Sequence, residues 1–143
     1  MLASCEGVGA TLGSVILAVL AGRGWYRRIL WAGLVLAEVS VLAFALSPGA
    51  VTAALALFCM GLGVAGFSTM QTTLIYVSVP AAARGRVMGL VSFCVGMAPL
   101  GILNLGILAG MLGPRAALLA IACAGLTSLG VLALLQARVR YHE

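Results

Sequence analysis

The sequence predicts an all-α polytopic membrane bundle of about five transmembrane helices, and three observations carry that prediction. Hydrophobic residues make up 64% of the chain and charged residues only 8%. With a mean hydropathy of +1.23, too little polar surface remains to cover a water-soluble globule. The apolar residues also gather in runs close to the roughly 20 residues that cross a hydrocarbon core. Finally, the eight basic residues are all arginine, and they stand between the runs or at their edges.

The spans follow in order. The first, Gly7 to Gly22, is short and glycine-rich; the second, Ile29 to Leu46, stops at Ser47-Pro48-Gly49. The third runs from Ala50 to Val79, where Pro80 ends it, and Ala81 to Ala83 read as a short turn before a fourth helix opened by Gly85. The fourth covers Val87 to Met111 and the fifth Arg115 to Ala137. Short turns make consecutive helices antiparallel neighbours in one compact transmembrane region. With five crossings, Arg23, Arg27, Arg28, Arg84, Arg86, Arg138 and Arg140 share one side and Arg115 alone lies on the other. The positive-inside rule then places the C-terminus in the cytoplasm.

Several function classes are disfavoured by the same residues. The arginines are scattered rather than aligned on one face with aromatics, which speaks against nucleic acid. Cys5, Cys59, Cys94 and Cys123 show no CxxC spacing, so neither a metal site nor a disulfide framework is expected. The single histidine, His142, is in the tail, and Glu6, Glu38 and Glu143 are too far apart in topology to form an acid/base pair. No enzyme and no cofactor is expected.

Three features within the spans are candidates for function. On the third span Ser68, Thr69, Thr72, Thr73 and Tyr76 share an arc of about 140° at 100° per residue, with Gly61 and Ala65 further along the same face and Gln71 at its edge. Such hydroxyls either bond within and between helices or line a path for an amphipathic organic molecule. On the fourth span Gly96, Pro99, Gly106, Gly110 and Gly113 fall on one side. That stripe serves either close helix packing or flexing, since small residues admit a neighbour and proline removes a backbone donor. Glu38 sits near the middle of the second span among apolar residues, where a carboxylate costs about 2.5 kcal/mol or more. It suits either proton coupling or a hydrogen bond to a neighbouring helix.

"RGRVMGL" (Arg84 to Leu90), "GMAPLG" (Gly96 to Gly101), Gly106 and "AGMLG" (Ala109 to Gly113) together resemble the end of major facilitator superfamily transporters. The likeness is strongest to the exporter branch that includes enterobactin and macrolide efflux proteins. The resemblance implies a partial major facilitator fold in which the five spans look like helices eight to twelve. It further implies a proton-coupled exporter of a bacterial cell membrane, whose missing N-terminal half leaves this chain inactive alone. In that plan the third span lines the central cavity, and Arg27, Arg28, Arg84, Gly85 and Arg86 fall on cytoplasmic gating loops. The family's loop aspartate has no counterpart in "GRGWYRRILWAG" (Gly22 to Gly33). A second expectation, from another class, is a free-standing five-helix subunit that assembles with or regulates another membrane chain. In either case the bilayer is a partner.

Overall fold

The computed structural model describes residues 2–20 and 24–140. Arg23, His142 and Glu143 lie outside the described residues. The described chain is helical, with no strand: α1 (Leu2–Leu20), α2 (Tyr26–Leu46), α3 (Ala50–Ser78), α4 (Ala81–Gly96), α5 (Ala98–Leu112) and α6 (Pro114–Arg140). The expected all-α membrane bundle is therefore present. Four segments are long and apolar enough to cross a bilayer, namely α2, α3, α4 with α5, and α6, while the apolar part of α1, Ser4–Val19, is shorter. The chain is a multi-pass membrane protein.

The helix α3 lies between α1 and α2, and its contact surface is built from small residues. Ala53, Ala56, Gly61, Gly63, Ala65, Gly66 and Met70 are its buried positions. In lipid, where apolar burial gives helices no preference for one another, close backbone approach and van der Waals packing supply the attraction. The glycines show how close the approach is. A Cβ on Gly33 would lie 2.7 Å from the Gly63 carbonyl oxygen and 2.8 Å from the Phe67 nitrogen, which joins α2 to α3. A Cβ on Gly61 would strike the Glu6 carbonyl, and one on Gly9 the Phe58 carbonyl, which joins α1 to α3.

Three contacts set α6 against α2 in a single antiparallel register. Arg27 Nη2 donates to Gln136 Oε1 at 2.6 Å, the Glu38 carboxyl rests on Gly125, and Arg115 Nη2 donates to the Ser47 carbonyl at 3.0 Å. Each step covers about three helical turns on both helices.

The fourth predicted span departs from expectation at its start and in its middle. Helix α4 starts at Ala81, not after a turn over 81–83, because the N–H groups of Ala83 and Arg84 donate to the Pro80 carbonyl at 2.9 and 3.2 Å. Proline fixes φ near the helical value, and the three alanines that follow have the highest helix propensity. Gly85 therefore lies inside a helix, and its φ is not positive. At Met97 the span breaks into α4 and α5, with Pro99 in the first turn of α5. Proline offers no N–H there, while the Met97 N–H turns back to the carbonyls of Cys94 and Val95. The second end is sharp: Gly113, at φ 83°, closes α5, and Pro114 opens α6, the order in which these two residues suit a helix end and a helix start.

Packing also differs from the prediction that every consecutive pair are antiparallel neighbours: among the described residues α1 and α2 do not meet, since α3 lies between them. Helix α5 packs on α6, but α4 meets α3 and α5 only sparsely, and neither α4 nor α5 contains a buried residue.

Candidate functional site

The hydroxyl face of α3 is an open groove. Ser68, Thr69, Thr72, Thr73 and Tyr76, with Val77, line a space of about 570 Å³. Gln71 is half-buried and outside it. The hydroxyls of Ser68, Thr72 and Thr73 donate to the carbonyls of Ala65, Ser68 and Thr69 at 3.3, 3.0 and 2.8 Å. Their protons are committed to the helix, which leaves oxygen lone pairs as acceptors. This satisfies the bland expectation of backbone-bonded hydroxyls in lipid, and the groove exists alongside it.

Helix lengths explain why the face is open. Gly13 lies against Ala65, and Ile29 against Gly66. From these points α1 continues about two turns to Leu20, and α2 begins less than one turn away at Tyr26. Near the level of residues 69–72, α2 begins and the described part of α1 stops, and the last turns of α3 extend beyond that level. With 29 residues, α3 is about 43 Å long against a hydrocarbon core of about 30 Å. By helical period Gly61 and Ala65 share the face of the hydroxyls. They are buried beneath α1, so the continuous stripe is divided into a packed part and an open part.

Arg84 does not line that space but stands against Tyr76, which does. Its Nε–H donates to the Val79 carbonyl at 3.0 Å, and its guanidinium carbon is 5.6 Å from the centroid of the Tyr76 ring, a cation–π distance. Arg28 covers the Trp25 ring at 5.9 Å. The expected gating-loop residues thus lie on helices: Arg27 and Arg28 in the first turn of α2, and Arg84, Gly85 and Arg86 in the first two turns of α4. The antiparallel register of α2 with both α3 and α6 collects Arg27, Arg28, Arg84, Arg86 and Arg138 at one end of the bundle, opposite Arg115.

Glu38 is half-buried, and its partner is a backbone surface. A Cβ on Gly125 would lie 2.7 Å from the carboxyl carbon of Glu38 and 2.8 Å from Oε1. Glycine at 125 leaves the room that the carboxyl occupies. The sequence alone did not single out Gly125, because nothing before the fold relates it to Glu38.

The glycine stripe of the fourth span packs on nothing described. A Cβ added at Gly96, Gly106 or Gly110 would meet no atom within 4 Å. Gly113 ends α5, and Pro99 sits just past the break. Among the described residues no group of three or more His, Cys, Asp or Glu is placed to hold a metal ion. In comparisons with family models, curated proteins and solved structures, nothing matches this chain.

Proposed function

We propose that these helices form one side of a secondary transporter for amphipathic organic molecules, with the Ser68 to Tyr76 face of α3 on the transport path. The observation that carries this reading is the open hydroxyl face of α3, which borders a space of about 570 Å³. It combines hydroxyl acceptors and an aromatic ring on a helix that also packs small residues against α1 and α2. Beside it runs a span broken at Pro99 whose glycines are uncovered, as suits a helix that rocks against a partner during alternating access. The resemblance of Arg84 to Gly113 to major facilitator exporters points the same way and implies proton-driven export across a bacterial cell membrane; Glu38, a carboxyl at mid-span among apolar residues, is the coupling candidate. Further helices, in this chain or another, complete the path in this reading.

The test places single cysteines at Ser68 and Thr69 in a protein otherwise free of cysteine, in native membranes. A water-soluble maleimide labels both, and an amphipathic dye protects them. A face that looks into lipid gives no labelling, and that result removes the reading. The arginine-rich end faces the cytoplasm by the positive-inside rule, so an impermeant maleimide added to intact cells labels Gly49→Cys and spares Ala82→Cys. The opposite pattern reverses the orientation.

A second reading, an assembly or regulatory subunit, draws on the absence of any buried residue in α4 and α5. Photo-crosslinkers at Leu90 and Ile102 that capture a separate chain, together with unreactive cysteines at 68 and 69, favour it over transport.

A further inference from the structure

We infer that the α3 groove selects amphipathic molecules with an anionic head group, and that Arg84 is the residue that reads the head. The inference rests on the transport-path reading and adds the charge of the occupant. Arg84 is fixed at two points, the Val79 carbonyl and the face of Tyr76. A guanidinium so held loses little side-chain freedom when it binds. Only its Nε–H is used, and the remaining N–H groups form the planar fork that matches a carboxylate or phosphate.

No carboxylate among the described residues is placed to fill that fork. Glu6 is on α1 near the opposite end, Glu38 lies at mid-span against Gly125, and the charged residues described at this end are all basic: Arg27, Arg28, Arg84, Arg86 and Arg138. The groove, meanwhile, runs from Val77 to Ser68, about 13 Å along the helix axis. Tyr76 and Arg84 lie towards the end of α3 and Ser68 about two turns further in. A single-chain anion fits this arrangement with its head at Arg84 and its tail along Thr73, Thr72 and Thr69.

The experiment uses the full chain in phosphatidylcholine nanodiscs, with Ser68→Cys as the only cysteine. Decyl phosphate and decyltrimethylammonium are compared for the concentration that half-protects this cysteine from maleimide. Decyl phosphate should protect at about tenfold lower concentration, the effect of one charge-assisted hydrogen bond. Arg84→Gln should abolish the preference, Arg84→Lys should keep part of it, and Arg86→Gln should leave it intact. Equal protection by the two heads overturns the anion while the path reading stands; protection by neither removes both. If Arg86→Gln erases the preference as fully as Arg84→Gln, diffuse surface charge explains it and the seat at Arg84 is overturned. Inorganic phosphate should not compete, and competition would mean that the tail is irrelevant. Phosphatidylglycerol mixed into the disc should not displace decyl phosphate; displacement would assign the seat to bilayer lipid. A preference that emerges only in Glu143→Gln would make the tail carboxylate the occupant, and would equally overturn the proposal.

Discussion

Two regions of this chain contain the same small residues and use them in opposite ways. Where α3 meets α1 and α2, glycines are paired across the contact: Gly33 faces Gly63, and Gly61 sits against the backbone of Glu6 and Ala10. In α4 and α5 a comparable density of glycine faces open space, and no residue is buried. Glycine content alone therefore does not make an interface. It becomes one only when a second helix offers a small residue at the matching height, because the attraction in lipid comes from contact and not from exclusion of water.

The largest test of this contrast is Gly61→Leu against Gly106→Leu. At 61 even a Cβ collides with the Glu6 carbonyl, and backbone has no alternative rotamer. The side chain must push α1 away, at a cost of about 3 kcal/mol or more, the upper range for overpacking. At 106 nothing lies within 4 Å, so the same substitution should cost nothing and, through leucine's helix propensity, stabilise by up to about 1 kcal/mol. Denaturant titration in mixed micelles, followed by circular dichroism, measures both. Equal losses would mean that α5 has a packed partner in the micelle.

The contrast also marks what could be read from the sequence. Helix, apolar span and the sorting of arginines to one end follow directly, since run length and proline position govern them. The hydroxyl face was legible because period 3.6 gathers Ser68, Thr72 and Tyr76 whatever their surroundings. Which glycines pack was not legible. In a soluble helix the buried stripe is apolar and the rest polar, but around α3 both packed and lipid-facing sides are apolar, and periodicity has nothing to distinguish. Gly96 to Gly113 therefore reads as a stripe for packing or for flexing, while Gly9, Gly33 and Gly63 do the packing. A signal was present in the spacing of Gly9 with Gly13 and of Gly61 with Ala65, two small pairs four residues apart on helices that turned out to be adjacent. Glu38 was visible as an anomaly, yet its seat on Gly125 depends on the register of α2 with α6, which no local pattern encodes.

That register allows a sharper and smaller test. Gly125→Val inserts a side chain where the Glu38 carboxyl now lies, with an expected loss of about 1–3 kcal/mol. The side chain that must give way is flexible, unlike the backbone at Gly61, so the loss should be the smaller of the two. Adding Glu38→Ala to Gly125→Val should restore most of it, because the obstruction is then gone. A double-mutant cycle reports the coupling, and additive effects would show that the two residues do not share a site.

The smallest effect has the opposite sign and probes the open region from within. Gly106→Ala places a methyl group where no atom lies within 4 Å, in a helical segment whose φ is not positive. Alanine loses less backbone freedom than glycine on becoming helical, which should stabilise α5 by about 0.5–1 kcal/mol. The same change at Gly63 must destabilise, because its Cβ would sit 2.7 Å from the Ala37 nitrogen and from the Gly33 carbonyl oxygen. Opposite signs for one substitution in two helices would confirm that the regions differ in contact and not in intrinsic helicity. If Gly106→Ala instead destabilises the protein, or impairs labelling at Ser68→Cys in native membranes without changing stability in micelles, then the α5 face is covered in the membrane. Its glycines would then serve a partner helix in the same way that Gly63 serves Gly33.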